Sequence, residues 1–209
     1  MSDVPRHRVF LLSPANMNGT RGSRALSPAS RSVVAERLRS REGLSLGELF
    51  SFISALYFRG KLTYARRFSS PPAAVEHDAG IHVITASAGL RSPDTRVTLD
   101  AVRAFATEDI DTANASYRRP LERSAIRLAE ELGECDVVLL GSIATAKYVD
   151  VLLGVFGERL LFPTDFVGRG DMSRGGLLLR CAASGVELSY APVGGAVRRG
   201  ARPPKLGPA

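Results

Sequence analysis

Short apolar runs, each closed by a turn signal, alternate along this chain with longer stretches whose apolar positions recur every three or four residues. Arg8-Val-Phe-Leu-Leu12 is the first run and ends at Ser13-Pro14, which predicts a buried strand opening into a loop over 13–30. Residues 32–39 read as a short helix and 45–68 as a longer one, in which Leu46, Leu49, Phe50, Ile53, Leu56 and Tyr57 share a face. Gly60 is the expected break or kink in the longer helix. Ser69-Ser-Pro-Pro72 stops it, and Ile81-His-Val-Ile84 is the next strand, followed by a loop over 85–95. Residues 118–132 are amphipathic, with Leu121, Ala125, Leu128, Ala129 and Leu132 on one side. Asp136-Val-Val-Leu-Leu140 is the clearest strand; Gly141-Ser142 closes it and a helix restarts over 143–153. Arg159-Leu-Leu-Phe162 is a fourth strand, 172–183 a last helix, and 187–190 a final edge strand.

Strands alternating with helices predict an α/β fold: a mostly parallel central sheet of four to five strands with helices on both faces, a three-layer sandwich. One domain is expected over 1–193, with 194–209 a flexible basic tail of Gly, Pro and Arg that offers no core-forming residues. Ligands on such sheets bind beyond the strand carboxyl ends. The loops leaving those ends are 13–30, 85–95 and 164–171, with Gly141-Ser142 as a tight fourth.

Composition narrows the class. The 209 residues are 44% hydrophobic and 23% charged, with a mean hydropathy of +0.01, which is globular usage. No apolar run reaches the ~18 residues of a spanning helix, and the first six residues carry no signal-peptide pattern, so a cytoplasmic protein with no membrane contact is expected. Cys135 and Cys181 lie far apart, and His7, His77 and His82 never pair at helical intervals. Two reduced, buried thiols and no metal site are the expectation. The 28 Lys and Arg against 21 Asp and Glu give a net charge of +7, which suits a polyanionic partner such as DNA. No P-loop, dinucleotide fingerprint or nucleophile elbow occurs, and no cofactor is expected.

Five segments could carry chemistry. In Ser13-Pro-Ala-Asn-Met-Asn-Gly-Thr-Arg-Gly-Ser-Arg24, the amides of Asn16 and Asn18 can read a base edge or orient water, and Arg21 and Arg24 can fork onto phosphate, while Ser13 starts the loop. The plainer reading of this segment is a surface loop of turn-forming residues. The late segment holds Asp165, Arg169, Asp171, Ser173 and Arg174 around a helix start, an anion site beside a carboxylate that could stabilise a cationic sugar or activate water. There the plainer reading is that Asp171 caps the helix. Gly141 and Ser142 put backbone amides and a hydroxyl at the sheet's mouth, and the small residues around Ser87 let a flat ligand lie against backbone. Tyr57-Phe-Arg-Gly-Lys-Leu-Thr-Tyr-Ala-Arg-Arg67 is either a stacking, phosphate-binding surface or a helix with an aromatic core face and solvated cations.

Four of these segments carry a resemblance. Leu12-Ser-Pro-Ala-Asn16, Ile84-Thr-Ala-Ser-Ala-Gly-Leu-Arg-Ser-Pro-Asp94 and Arg169-Gly-Asp-Met-Ser-Arg174 resemble the YaaA peroxide-stress proteins, and the first is also similar to the catalytic domain of archaeosine synthase. The order of strand and polar loop, then Leu-Leu-Gly-Ser-Ile-Ala144, then Leu-Phe-Pro163 and a loop ending in Ser-Arg174, is similar to the uracil-DNA glycosylase superfamily. Glycosylases of this kind also serve phage defence, removing glucosylated hydroxymethylcytosine. The resemblance spans most of residues 8–180 and implies a monofunctional DNA glycosylase acting on a modified or damaged base. For such an enzyme the chemistry of the residues makes Asn16 or Asn18 the expected contact to the base or the water and Asp171 the group that stabilises the sugar or activates water, with Ser13, Arg21, Arg24, Ser87, Gly141, Ser142, Asp165, Arg169, Ser173 and Arg174 as substrate contacts. The chain departs from the uracil-specific pattern in lacking a Gln-Asp-Pro-Tyr first motif and a late-loop His. The YaaA resemblance implies instead a non-catalytic DNA-binding stress protein, and an enzyme acting on free nucleotides or tRNA is a third expectation.

Overall fold

The computed structural model describes residues 7–73, 80–204 and 207; His77 and the first six residues, read above as free of a signal peptide, lie outside the described residues. In chain order the elements are β1 (Arg8–Leu12), α1 (Thr20–Leu26), α2 (Val33–Arg39), β2 (Leu44–Ser45), α3 (Leu46–Phe68), β3 (Ile81–Thr85), β4 (Gly89–Arg91), β5 (Arg96–Val97), α4 (Leu99–Thr107), α5 (Ala115–Leu132), β6 (Asp136–Leu140), α6 (Ala146–Phe156), β7 (Leu160–Pro163), α7 (Asp171–Ser184) and β8 (Tyr190–Pro192).

The main sheet has six strands in the order β4-β3-β1-β6-β7-β8. The four inner strands are parallel, and β4 and β8 run antiparallel at the edges. The α/β sandwich is therefore as the sequence predicts, with one or two more strands than expected. β1 sits at the centre because its residues are apolar on both faces. Phe10 and Leu12 pack with Val83, Val138 and Leu140 under α1, α2, α3, α4 and α7. Val9 and Leu11 pack with Ile84, Val137 and Leu139 under α5 and α6. Alternate residues of one strand thus enter two different cores, which is why these runs read as continuously hydrophobic.

Several local expectations are corrected. The loop over 85–95 contains a hairpin: Gly89, at φ +70, turns the chain into β4. The buried Thr85 hydroxyl closes that turn by donating to the Gly89 carbonyl at 2.8 Å. The loop over 13–30 contains α1, which forms because Gly22 lets the chain fold back on itself; a Cβ there would stand 1.9 Å from the Met17 carbonyl oxygen. The helix expected from 143 begins at Ala146, and the last edge strand lies at Tyr190–Pro192, two to three residues beyond its expected place. Cys135 is buried as expected, but Cys181 is only partly so, and both are free thiols.

The long helix α3 is interrupted, but not at Gly60. The break is at Ala55, whose φ of 44 and ψ of −117 leave the helical region. Gly60 continues the helix and serves another purpose, described below. After β7, a single tight helical turn (Thr164–Phe166) leads to α7. Among the described residues no helix is long and apolar enough to cross a membrane. The tail lies against α6 and the loop before α7: Arg198 pairs with Asp150 at 3.6 Å, and Arg169 donates to the Pro204 carbonyl at 3.4 Å.

Candidate functional site

From β1 the chain moves to β3 on one side, and β6 continues to β7 on the other. The gap between the carboxyl ends of β1 and β6 is therefore the topological switch point, where sheets of this kind bind ligands. The residues that follow those two strands, Ser13 and Gly141-Ser142, meet there; the Ser13 amide donates to the Leu140 carbonyl at 3.2 Å. A side chain on Gly141 would not fit, since its Cβ would stand 2.9 Å from both the Ser13 Cβ and the Tyr148 hydroxyl. Tyr148, from α6, is fixed by Ser142: its hydroxyl accepts from the Ser142 amide at 3.1 Å and donates to the Ser142 carbonyl at 3.0 Å. Burial pushes the Tyr148 hydroxyl pKa up, while hydrogen bonding to Ser13 opposes the shift.

The opposite wall comes from α3 and α7, which cross at backbone contact. A Cβ on Gly60 would stand 2.7 Å from the Gly175 carbonyl oxygen, and one on Gly175 would stand 2.8 Å from the Leu56 carbonyl oxygen. Only paired glycines allow this approach. The crossing sets the start of α7, and with it Asp171, above Tyr57 and Lys61 of α3. Ser13, Asn16, Tyr57, Ser142, Tyr148 and Asp171 then line one cavity of about 470 Å³. A second cavity of about 550 Å³ adjoins it, sharing Pro14, Ala15, Asn16, Ile110 and Lys147. Asn18 lines only the second, with Phe50, Phe105 and the carboxylates of Glu108, Asp109 and Asp111. Both volumes lie within the usual range for small-molecule sites.

The expected catalytic residues, from opposite ends of the chain, thus share one cleft. Asn16 and Asp171 line the same cavity, and Asn18 lies next door. The Asn16 carboxamide oxygen accepts from the Asn18 amide at 3.0 Å, which leaves its NH₂ group to face a ligand. Asp171 is not a cap: Gly170 occupies the N-cap position, without a side-chain cap bond, and Asp171 is the first helical residue. Its carboxylate is mostly exposed and 3.8 Å from Arg174, a loose pairing that leaves it available.

The other expected contacts divide. Ser13 and Ser142 line the cavity, and Gly141 provides the close approach. Arg174 does not present its guanidinium outward; it donates twice to the Phe166 carbonyl, at 3.2 and 2.9 Å, over the Phe166 ring. Arg169 donates to the Asp165 carbonyl, the Ser173 hydroxyl and the Pro204 carbonyl, so it ties the late loop to the tail. Arg21 and Arg24 stand exposed on α1. Ser87, half-buried in the β3–β4 turn, and the exposed Asp165 are not among the lining residues of either cavity.

Lys61 has a place that neither reading of its segment anticipates. It is 1% exposed, its ammonium 2.6 Å from the Ser13 carbonyl oxygen and 2.9 Å from the Ser13 Oγ. The Tyr57 and Phe58 rings flank it at 4.5 and 4.9 Å. Burial brings its pKa down to about 7, with Asp171 opposing that shift and Arg174 adding to it. Tyr57, Phe58 and Tyr64 are core, whereas Arg59, Arg66 and Arg67 are exposed. Tyr57 also holds a buried hydroxyl for which no hydrogen bond of normal geometry is found among the described residues, and burial raises its pKa while the nearby Arg174 opposes the shift. The rim residues Glu108, Asp109 and Asp111 were not singled out by sequence either; a capping Asn114 that donates to Glu108 and to the Asp109 carbonyl, both at 3.0 Å, was the available signal.

Among the described residues no group of three or more His, Cys, Asp or Glu is placed to hold a metal ion. No family model matches this chain, and neither a curated protein nor a solved structure is significantly similar to it.

Proposed function

We propose that this protein is a DNA glycosylase that hydrolyses the N-glycosidic bond of a modified or damaged base, leaving an abasic site. The observation that carries this reading is the convergence of Asn16 and Asp171, with Ser13 and Ser142, on one cavity at the switch point. A base inside a duplex is inaccessible, so the target nucleotide must leave the stack and enter the cleft. The Asn16 NH₂ group then donates to a base acceptor, and Asp171 stabilises positive charge developing on the sugar or takes a proton from the attacking water. Water supplies hydroxide to C1′ and a proton to the departing base. Arg21 and Arg24, exposed on the adjoining α1, contact flanking phosphates.

The second cavity supports a base carrying a bulky polar substituent, because amides and carboxylates are good partners for hydroxyl groups. Glucosylated hydroxymethylcytosine in phage DNA is the candidate, and antiviral defence the role. The test is incubation with hypermodified and unmodified DNA, alkaline cleavage of abasic sites and mass spectrometry of the released base. Modified DNA is expected to break and to release its base, with Asn16→Ala and Asp171→Asn slowing release by about 10²–10⁴-fold. Intact modified DNA would end the proposal. A second reading, hydrolysis of free nucleosides, is favoured by the three rim carboxylates, which repel a phosphate backbone. Base release from a nucleoside but not from DNA would select it.

A further inference from the structure

Water-driven base removal uses Ser13 only as a wall of the cavity and leaves Lys61, and its bond to the Ser13 hydroxyl, without a role. A lysine that served only to satisfy the first carbonyl after β1 would need no hydroxyl beside it. Here the same ammonium reaches both the Ser13 carbonyl oxygen and the Ser13 Oγ, and its nitrogen is held over the faces of the Tyr57 and Phe58 rings. Ser13 lines the cavity whereas Lys61 is buried and does not, so Ser13 is the residue through which the amine can act on a ligand there. On its other side is the Tyr148 hydroxyl, itself held by the Ser142 backbone. A hydroxyl within hydrogen-bond reach of a base that is oriented in turn by further groups is the arrangement of an activated nucleophile.

We propose that Ser13 is a nucleophile activated by Lys61, and that this cleft accepts a carbonyl group of the ester or amide class. In the first step the neutral Lys61 amine takes the proton from the Ser13 hydroxyl as Oγ bonds to the carbonyl carbon. The tetrahedral adduct then collapses: the bond to the leaving alcohol or amine breaks, and the leaving group takes the proton now on Lys61, directly or through the Tyr148 hydroxyl. Water attacks the resulting acyl-Ser13 ester, releases the acid and restores the hydroxyl. No oxidant, reductant or cofactor enters this balance.

The charged and titratable groups that face Lys61 are Asp171, which favours its protonated form, and Arg174, which disfavours it. Tyr57, packed against it, and Tyr148, beside Ser13, both have raised pKa values and stay neutral near pH 7. The pKa of about 7 leaves a substantial fraction of the amine unprotonated under ordinary conditions.

The test uses the full-length protein and a fluorophosphonate, which traps activated serines covalently without any knowledge of the natural substrate. Intact mass and peptide mapping are expected to find one adduct, on Ser13, forming faster as pH rises through about 7 and falling at least about 100-fold in Lys61→Met. No adduct on Ser13, or equal labelling in Lys61→Met, overturns the proposal. Should Lys61→Met fail to fold, Ser13→Cys decides: its thiol is expected to react with iodoacetamide faster than Cys181 does, and an equal or slower rate overturns the proposal. Neither readout involves DNA, so failure of base release and failure of the nucleophile are separate results.

Discussion

Lys61 shows what a single position can hide. Its neighbours in sequence, Tyr57, Phe58 and Arg59, predict an exposed cation on an aromatic helix, yet it is the most deeply buried charged side chain among the described residues. Nothing in local spacing marks it, because its burial comes from α7 crossing over it and from Ser13, 48 residues earlier in the chain. The asparagines and Asp171 were legible for the opposite reason: polar residues bunched with glycines directly after apolar runs are visible in one dimension. Burial of Lys61 has a measurable consequence. The unfolded chain holds the lysine proton up to the ordinary value of 10.5, whereas the folded protein releases it near 7. Between those values the unfolded state binds more protons, so stability rises with pH across that window and is lowest below it. Urea unfolding at pH 6 and pH 9.5 should show this rise, of order a few kcal/mol. Lys61→Met should flatten it, faring better relative to the parent protein at the lower pH. A slope unchanged by the substitution would mean that Lys61 titrates normally.

At the scale of elements, periodicity located α3, α5 and the inner strands to within a few residues, because each shows its own buried face in sequence. The missing elements are those whose existence depends on a distant contact. β4 needs Gly89 to approach α5, where a Cβ would stand 2.3 Å from the Pro120 carbonyl oxygen. α4 buries little more than Val102 and Phe105, too few positions to set a period. The glycine in α3 misled for a related reason. Intrinsic propensity treats Gly60 as a weak point, but the helix keeps it so that α7 can touch its backbone, and breaks at Ala55 instead. Two substitutions should therefore have opposite effects. Gly175→Ala forces the crossing apart and should cost about 1–3 kcal/mol, as overpacking does. Ala55→Gly relieves a positive φ and should leave stability equal or higher, by up to about 1 kcal/mol. Thermal melts of both variants check this, and base release or Ser13 labelling in Gly175→Ala shows whether the crossing also sets the cleft.

At the scale of the molecule, charge and topology divide the work. The switch point brings the carboxyl ends of β1 and β6 together and so fixes where a ligand sits, whereas the net charge of +7 governs what approaches. The two do not coincide, since the cleft itself carries Asp171 and the rim acids Glu108, Asp109 and Asp111, with Lys147 as the cation lining both cavities. A polyanion drawn by the whole surface must therefore be gripped beside the cleft rather than in it. Among the arginines the sequence pointed to, Arg169 and Arg174 are held by carbonyl oxygens, which leaves Arg21 and Arg24 on α1 for that task. If both neutralise phosphates, Arg21→Gln with Arg24→Gln should reduce the slope of log K against log salt by about 2 for duplex DNA, with weaker binding on every sequence tested. Asp109→Asn with Asp111→Asn should act in the other direction, strengthening binding at low salt and losing that gain as salt screens the rim. Fluorescence anisotropy at several salt concentrations measures both effects. A slope untouched by the arginine pair would move the grip to the exposed cations of α3, and an affinity untouched by the aspartate pair would mean that DNA does not pass over this rim.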